Sequence, residues 1–152
     1  MRKISKDGLE LIKYFEGLSL KPYLDAVNIP TIGFGNTYYP DGKKVTLQDK
    51  EITEEKAFEI LEYIANKDFG SNINKVAKVQ LNQNQFDALV SFAYNIGNGN
   101  FNSSTLLRWL NQGNYKEASM QLLRWDKSKG IVLNGLTKRR KAEKELFDRV
   151  SN

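Results

Sequence analysis

Residues 16–37 read EGLSLKPYLDAVNIPTIGFGNT. Just upstream, Leu9, Ile12 and Phe15 recur at helical spacing, between Ser5, which suits an N-cap, and Gly17, which suits the position after a last turn. The spacing predicts a helix over residues 4–15 with Glu16 at or just beyond its C-terminus. From Leu18 to Val45 the chain changes character. Pro22, Pro30, Pro40, Gly33, Gly35 and the Asp41-Gly42 turn signal punctuate short runs rich in Tyr, Ile, Thr and Phe, which predicts a small antiparallel sheet of two or three strands. In a helix that runs into a hairpin, Glu16, Asp25 nine residues on, and the Thr31 hydroxyl six beyond that can converge on one cleft, a spacing that is suggestive rather than decisive.

Beyond this segment the periodicity is helical. Thr53 to about Val79 forms a long helical pattern capped by Thr53, with Glu54 and Glu55 in its first turn and Gly70-Ser71 as a point of kink or break. Asn82 with Gln85 forms a capping box for a helix that turns Phe86, Leu89, Val90 and Ala93 inward and stops at Gly97. Ser104 opens a short helix through Leu110, Asn114 another through Leu123, and Leu136 to Val150 the last. Strands confined to the front and helices behind predict an α+β fold. We read one domain over residues 1–152: an N-terminal helix and small antiparallel β-sheet lobe (about 1–50), a linking helix (about 53–79) and a larger helical lobe (about 80–150).

Composition limits the chemistry. The chain of 152 residues has no His and no Cys, which excludes Ser-His-Asp and Cys-His nucleophiles, imidazole or thiolate metal sites and disulfides. Proton transfer must then come from carboxylates, Tyr, Lys or water, and no metal or cofactor is expected. The first twenty residues carry Arg2, Lys3, Lys6, Asp7, Glu10, Lys13 and Glu16, so no signal peptide is expected. The most apolar run, Ala88–Ile96, is shorter than the roughly 18 residues of a membrane span. Residues 1–100 hold 12 Lys+Arg against 13 Asp+Glu, whereas residues 101–152 hold 11 against 5. The positive excess is therefore a property of the last third, which suits an anionic envelope polymer or membrane, or simply a solvated surface.

Two carboxylates flanking a bond are what glycoside hydrolysis requires, one to protonate the leaving oxygen and the other to stabilise an oxocarbenium-like transition state or direct water. Glu16 and Asp25 fit that pair, with Thr31 as the hydroxyl that holds the water. Taken alone, Glu16 reads by default as a solvated glutamate at a helix end.

The motif Glu16-Gly17, Leu20, Tyr23, Asp25, followed by Thr31-Ile32-Gly33 and Gly35, resembles that of the phage-type lysozymes, the endolysins and prophage muramidases of glycoside hydrolase family 24. The segments LNQNQFDALVSFAYNIG from Leu81, SSTLLRWLNQGNYKEA from Ser103 and GLTKRRKAEKELF from Gly135 extend the resemblance, in order, over residues 4–150. It implies a lysozyme-like fold and cleavage of the β-1,4 bond between N-acetylmuramic acid and N-acetylglucosamine in peptidoglycan. It also implies Glu16 as general acid, Asp25 as the stabilising or water-directing carboxylate, Thr31 as the water holder, and Arg139 as an arginine paired with the acid. Many relatives carry His where this chain has Asn36, which cannot hold charge.

Phe34 and Phe101 are candidate faces for a sugar ring, although Phe101, Trp109 and Trp125 also lie at helical spacing that suits a core. The expected partner is the glycan strand, met by a monomer. Lys138, Arg139, Arg140, Lys141 and Lys144 offer a basic face to anionic polymers or membrane, and no nucleic-acid motif accompanies them. Two rival readings stand beside the hydrolase: a lytic transglycosylase on the same scaffold and a non-enzymatic basic envelope-binding module. A family member of this kind is expected to wait in the host cytoplasm until a holin releases it to the periplasmic wall.

Overall fold

Helix α1 (Lys6–Glu16) buries Leu9 and Ile12, leaves Phe15 half-buried and ends at Gly17, whose φ of 73° and N–H bond to the Lys13 carbonyl close the last turn. Ser5 precedes it in extended conformation but does not cap it with its side chain. Instead its N–H and hydroxyl both donate to the buried Asp87 carboxylate, on a helix more than eighty residues away. That contact is close because position 8 is glycine: a Cβ there would lie 2.6 Å from Ile4 Cγ1 and 2.8 Å from Asp87 Cβ. The computed structural model describes residues 1–150; Ser151 and Asn152, the last positions of the expected domain, lie outside the described residues.

Strands β1 (Ser19–Leu24) and β2 (Pro30–Gly33) pair antiparallel, with Tyr23 opposite Thr31 and Leu24 opposite Pro30, and a bulge between Ser19 and Tyr23. Pro30 opens its strand, where a missing N–H is tolerated. The sheet is thus two-stranded, within the expected two or three, and beyond it lie only isolated bridges, Ile32 to Asn36 and Tyr38 to Lys44.

The long helical pattern becomes α2 (Glu54–Ile64), a π-helical segment (Ala65–Gly70) and α3 (Ser71–Val76). Thr53 caps it through the Lys56 N–H. There is no break at Gly70-Ser71, where both residues keep right-handed helical dihedrals. The irregularity is a π-turn just before it, which shifts the side-chain register without interrupting the backbone bonds. Tyr38 from the front of the molecule donates its hydroxyl to Asp68 within this turn, and burial followed by that bond pushes the Tyr38 phenol well above its ordinary titration range.

Helix α4 (Gln83–Ile96) has the full Asn82/Gln85 capping box and buries every residue from Phe86 to Ala93. Such all-round burial marks the central helix of the fold, and α1, α8 and the π-segment pack around it. Helix α5 (Asn98–Asn102) is a single short helix that inserts Phe101 into the core. Helices α6 (Thr105–Asn111) and α7 (Tyr115–Leu122) are capped by Ser104 and Asn114 as expected. A hairpin of β3 (Lys127–Ser128) and β4 (Ile131–Val132) follows, turning through Lys129 and Gly130, both at positive φ. Its two-residue strands lie exposed, so they carry no alternation for a sequence reading to find.

Helix α8 (Asn134–Asp148) begins two residues before the expected start and packs Leu146 and Phe147 on the core. Two expectations for it fail. Val150 lies past its end and is exposed, and Arg139 and Arg140 point inward, at 4% and 1% exposure, rather than forming a cationic face. The exposed basic surface of α8 is therefore limited to Lys138, Lys141 and the half-exposed Lys144.

Candidate active site

The end of α1 delivers Glu16, the hairpin turn delivers Asp25, and the first residues of β2 deliver Thr31. Glu16 Oε2 accepts from Arg139 Nη1 at 2.7 Å, with the carboxylate side chain 19% exposed. The expected arginine partner is in place. Behind Glu16 lies the Gly33–Asn36 turn, where Gly35 has a φ of 76° and a Cβ would sit 2.5 Å from Glu16 Oε1. Gly35→Ala should therefore push the carboxylate off Arg139 and destabilise the fold by about 1–2 kcal/mol, the strain of an L-residue in that region; thermal unfolding and the Glu16–Arg139 distance in a crystal check both effects.

Asp25 is fixed by its own turn. Its Oδ1 accepts from the N–H groups of Val27 and Ile29, each at 2.9 Å, while its backbone closes the loop with Ile29 and Asn28. Both side-chain bonds use the same oxygen, so the other is not committed to the turn. Thr31 is buried and donates its hydroxyl to the Ile29 carbonyl at 2.8 Å. With its proton so directed, Thr31 Oγ1 can act toward a water only as an acceptor.

Tyr23 lies on the same hairpin. It stands directly opposite Thr31 and two residues before Asp25, and cross-strand partners and alternate residues share a sheet face. Its phenol titrates above the ordinary range through burial first, then through the charges of Glu16 and Asp25. The two carboxylates thus act on one phenol from two different elements.

Asn36, in the position of the expected His, is buried and knits the turn to α4. Its Oδ1 accepts from the Phe34 N–H at 3.3 Å and its Nδ2 donates to the Tyr94 hydroxyl at 2.7 Å, which donates in turn to the Phe34 carbonyl at 2.8 Å. A neutral amide suffices for this role. Burial, reinforced by the nearby Glu16 charge, raises the Tyr94 phenol far out of its ordinary range, so it stays protonated as a donor.

Phe34 and Phe101 do not face the cleft. Phe34 is 3% exposed under Lys13, and Phe101 is fully buried against the edge of Phe92 at 6.1 Å between ring centroids. Neither presents a ring to a sugar, because each fills a core gap. Trp109 and Trp125 also pack against the core, as helical spacing suggests. Two hollows of about 530 and 560 Å³ are lined respectively by Arg2, Lys3 and Tyr63 and by Tyr115, Lys116 and Phe147. Neither includes Glu16, Asp25 or Thr31.

The sequence reading passed over Tyr23 and Tyr94, and also Ser91 and Glu143, whose backbone carbonyl and carboxylate respectively accept from the Arg139 guanidinium. Tyr23 lay inside the motif itself. Glu143 carried a weaker signal, a Glu three and four residues after two adjacent arginines on one helix.

A family profile described as "Phage lysozyme" matches residues 13–143. The endolysin of Bacillus phage B103 is 46% identical over 146 residues, covering 95% of this chain and 53% of that protein. The endolysin of Salmonella phage P22 is 40% identical over 151 residues, covering 97% and 99% respectively. Among solved structures, the endolysin from Escherichia coli O157:H7 phage FAHEc1 superposes with a TM-score of 0.87 at 39% identity, covering 97% of this chain and 94% of that one. The chain spans about half the length of the Bacillus phage relatives, which are 53% and 55% covered.

Proposed function

The chain belongs to the phage lysozyme family, and from that membership we propose that it hydrolyses the β-1,4 bond between N-acetylmuramic acid and N-acetylglucosamine in bacterial peptidoglycan and so lyses the cell. The observation that carries this reading is the Glu16 carboxylate at the end of α1, held by Arg139 Nη1 at 2.7 Å, beside a hairpin whose turn fixes Asp25 and directs the Thr31 hydroxyl. Glu16 protonates the departing glycosidic oxygen. Asp25 stabilises positive charge at the anomeric carbon and directs a water whose proton is held by Thr31 Oγ1. Arg139 fixes the orientation of the acid, and an acid held in place before the substrate arrives loses little freedom at the moment of reaction.

A lytic transglycosylase needs the acid but has no use for a water site. The anchoring of Asp25 by its turn and the direction of the Thr31 hydroxyl favour hydrolysis over that alternative. The basic binding module is disfavoured because Arg139 and Arg140, the centre of its charge cluster, are spent inside the fold. The partner is then the glycan strand. We place the protein in the host cytoplasm until a holin opens the inner membrane; among the described residues no helix is long and apolar enough to cross one.

Incubation with purified peptidoglycan tests the reading. The expected result is loss of turbidity with new reducing ends on N-acetylmuramic acid. Unchanged turbidity, or new reducing ends on N-acetylglucosamine, would overturn it.

A further inference from the structure

We propose that Glu143 is a positioning residue for the Glu16 acid, acting through Arg139; the inference rests on the role given to Glu16 above. Glu143 is fully buried. Its Oε2 accepts from Arg139 Nε at 3.2 Å and from the Ser91 hydroxyl at 2.6 Å, and its Oε1 accepts from Arg140 Nη1. Arg139 in turn donates Nη1 to Glu16 at 2.7 Å and Nη2 to the Ser91 carbonyl at 3.1 Å. Acceptors on α1, α4 and α8 thus hold three edges of one guanidinium, and its plane has nowhere to rotate. Arg140 is fixed as well, by the Trp125 carbonyl at 2.9 Å and the Asn95 side chain, with its guanidinium 4.9 Å from the Phe92 ring centroid. The helix supplies the geometry, since residues three and four apart share a face and Glu143 can meet both arginines at once.

The arrangement has an electrostatic consequence beyond orientation. Arg139 and Arg140 are two buried cations, and Glu143 is the one anion buried between them. The groups that face Glu16 are Arg139, with Arg140 behind it, from α8, Tyr94 from α4, Tyr23 from β1 and the backbone at Gly35. If Glu143 carried no charge, both arginines would act on Glu16 without a counter-ion, and their field would favour its ionised form. A general acid must hold its proton to work. Glu143 therefore does two things for Glu16: it locks the arginine that orients the acid, and it offsets the positive field that would strip its proton.

Two variants separate these effects. Glu143→Gln keeps the shape and removes the charge, so the alkaline limb of the kcat profile should move to lower pH by about one unit, the scale of a nearby charge. Glu143→Asp keeps the charge and shortens the reach, so kcat should fall on the order of tenfold or more, as a misplaced catalytic group does, with the limb unmoved. KM for soluble glycan strands should change little in either, because Glu143 is fully buried and out of reach of substrate. A folded Glu143→Gln protein with the wild-type limb overturns the proposal, as does a loss of kcat that only follows the loss of folded protein in a thermal melt. If Glu143→Gln does not fold, Glu143→Asp decides, and wild-type kcat in that variant overturns it. Glu16→Gln is assayed alongside. An inactive Glu16→Gln beside wild-type behaviour in the Glu143 variants removes the positioning role alone, whereas an active Glu16→Gln removes the role of the acid and the proposal with it.

Discussion

Glu16→Gln is expected to lower the rate of peptidoglycan hydrolysis by about a hundredfold to ten-thousandfold, the range a positioned general acid supplies, while leaving the protein folded. The fold survives because glutamine fills the same volume and can still accept from Arg139 Nη1. Arg139 also keeps two partners besides Glu16, the Glu143 carboxylate and the Ser91 carbonyl, so no buried cation is stranded. Turbidity clearance of purified wall, paired with a thermal melt, reads both halves of the prediction. A variant that melts like the wild type and lyses like it would end the assignment of Glu16.

Phe101→Ala is expected to do the reverse, with a large effect on stability and little on chemistry. Phe101 is fully buried and packs edge-on to Phe92, which also meets Trp125 at 5.6 Å between centroids. Deleting such a ring leaves a cavity and costs about 3–5 kcal/mol, which in a chain of this size lowers Tm on the order of 10 °C. Below the transition, kcat and KM of the folded fraction should stay near wild type. A sugar-stacking Phe101 would give the opposite pattern, an unchanged Tm and a raised KM.

The contrast between these two residues shows where the sequence was informative. The place of Glu16 at a helix end was legible because a helix stripe, a stop glycine and a strand-rich segment meet at one point; the acid's role assigned to it came only with the motif's resemblance to the phage-type lysozymes. The Asn82/Gln85 capping box was likewise legible from local signals. Phe101 was ambiguous because aromatic chemistry serves a core and a sugar equally well, and only burial separates them. Helix α5 and the β3–β4 hairpin escaped because five-residue and two-residue elements are too short to show a period. The basic cluster on α8 misled for a different reason. Charged residues are read as surface by default, yet Arg139 and Arg140 are buried together with the Glu143 that makes their burial tolerable. The excess positive charge of the last third is thus partly internal machinery, and less of it faces an anionic envelope than counting suggests.

Asn36 refines the resemblance in the same way. Where relatives often carry His, this chain uses the amide to hold the Phe34 N–H and the Tyr94 hydroxyl, and so stiffens the turn that backs Glu16. The turn, the arginine and the buried glutamate together define the position of one carboxylate. Asp25 and Thr31, by contrast, are set by bonds within their own hairpin. The two carboxylates are thus positioned by separate sets of bonds.

The central claim is that water, directed by Asp25 and Thr31, completes the bond cleavage that Glu16 begins. It is tested most directly by digesting purified peptidoglycan in water enriched in the heavy oxygen isotope and weighing the released fragments. The account predicts one heavy oxygen on each new reducing N-acetylmuramic acid end. Fragments that end in anhydro-muramic acid and carry no heavy oxygen would contradict it.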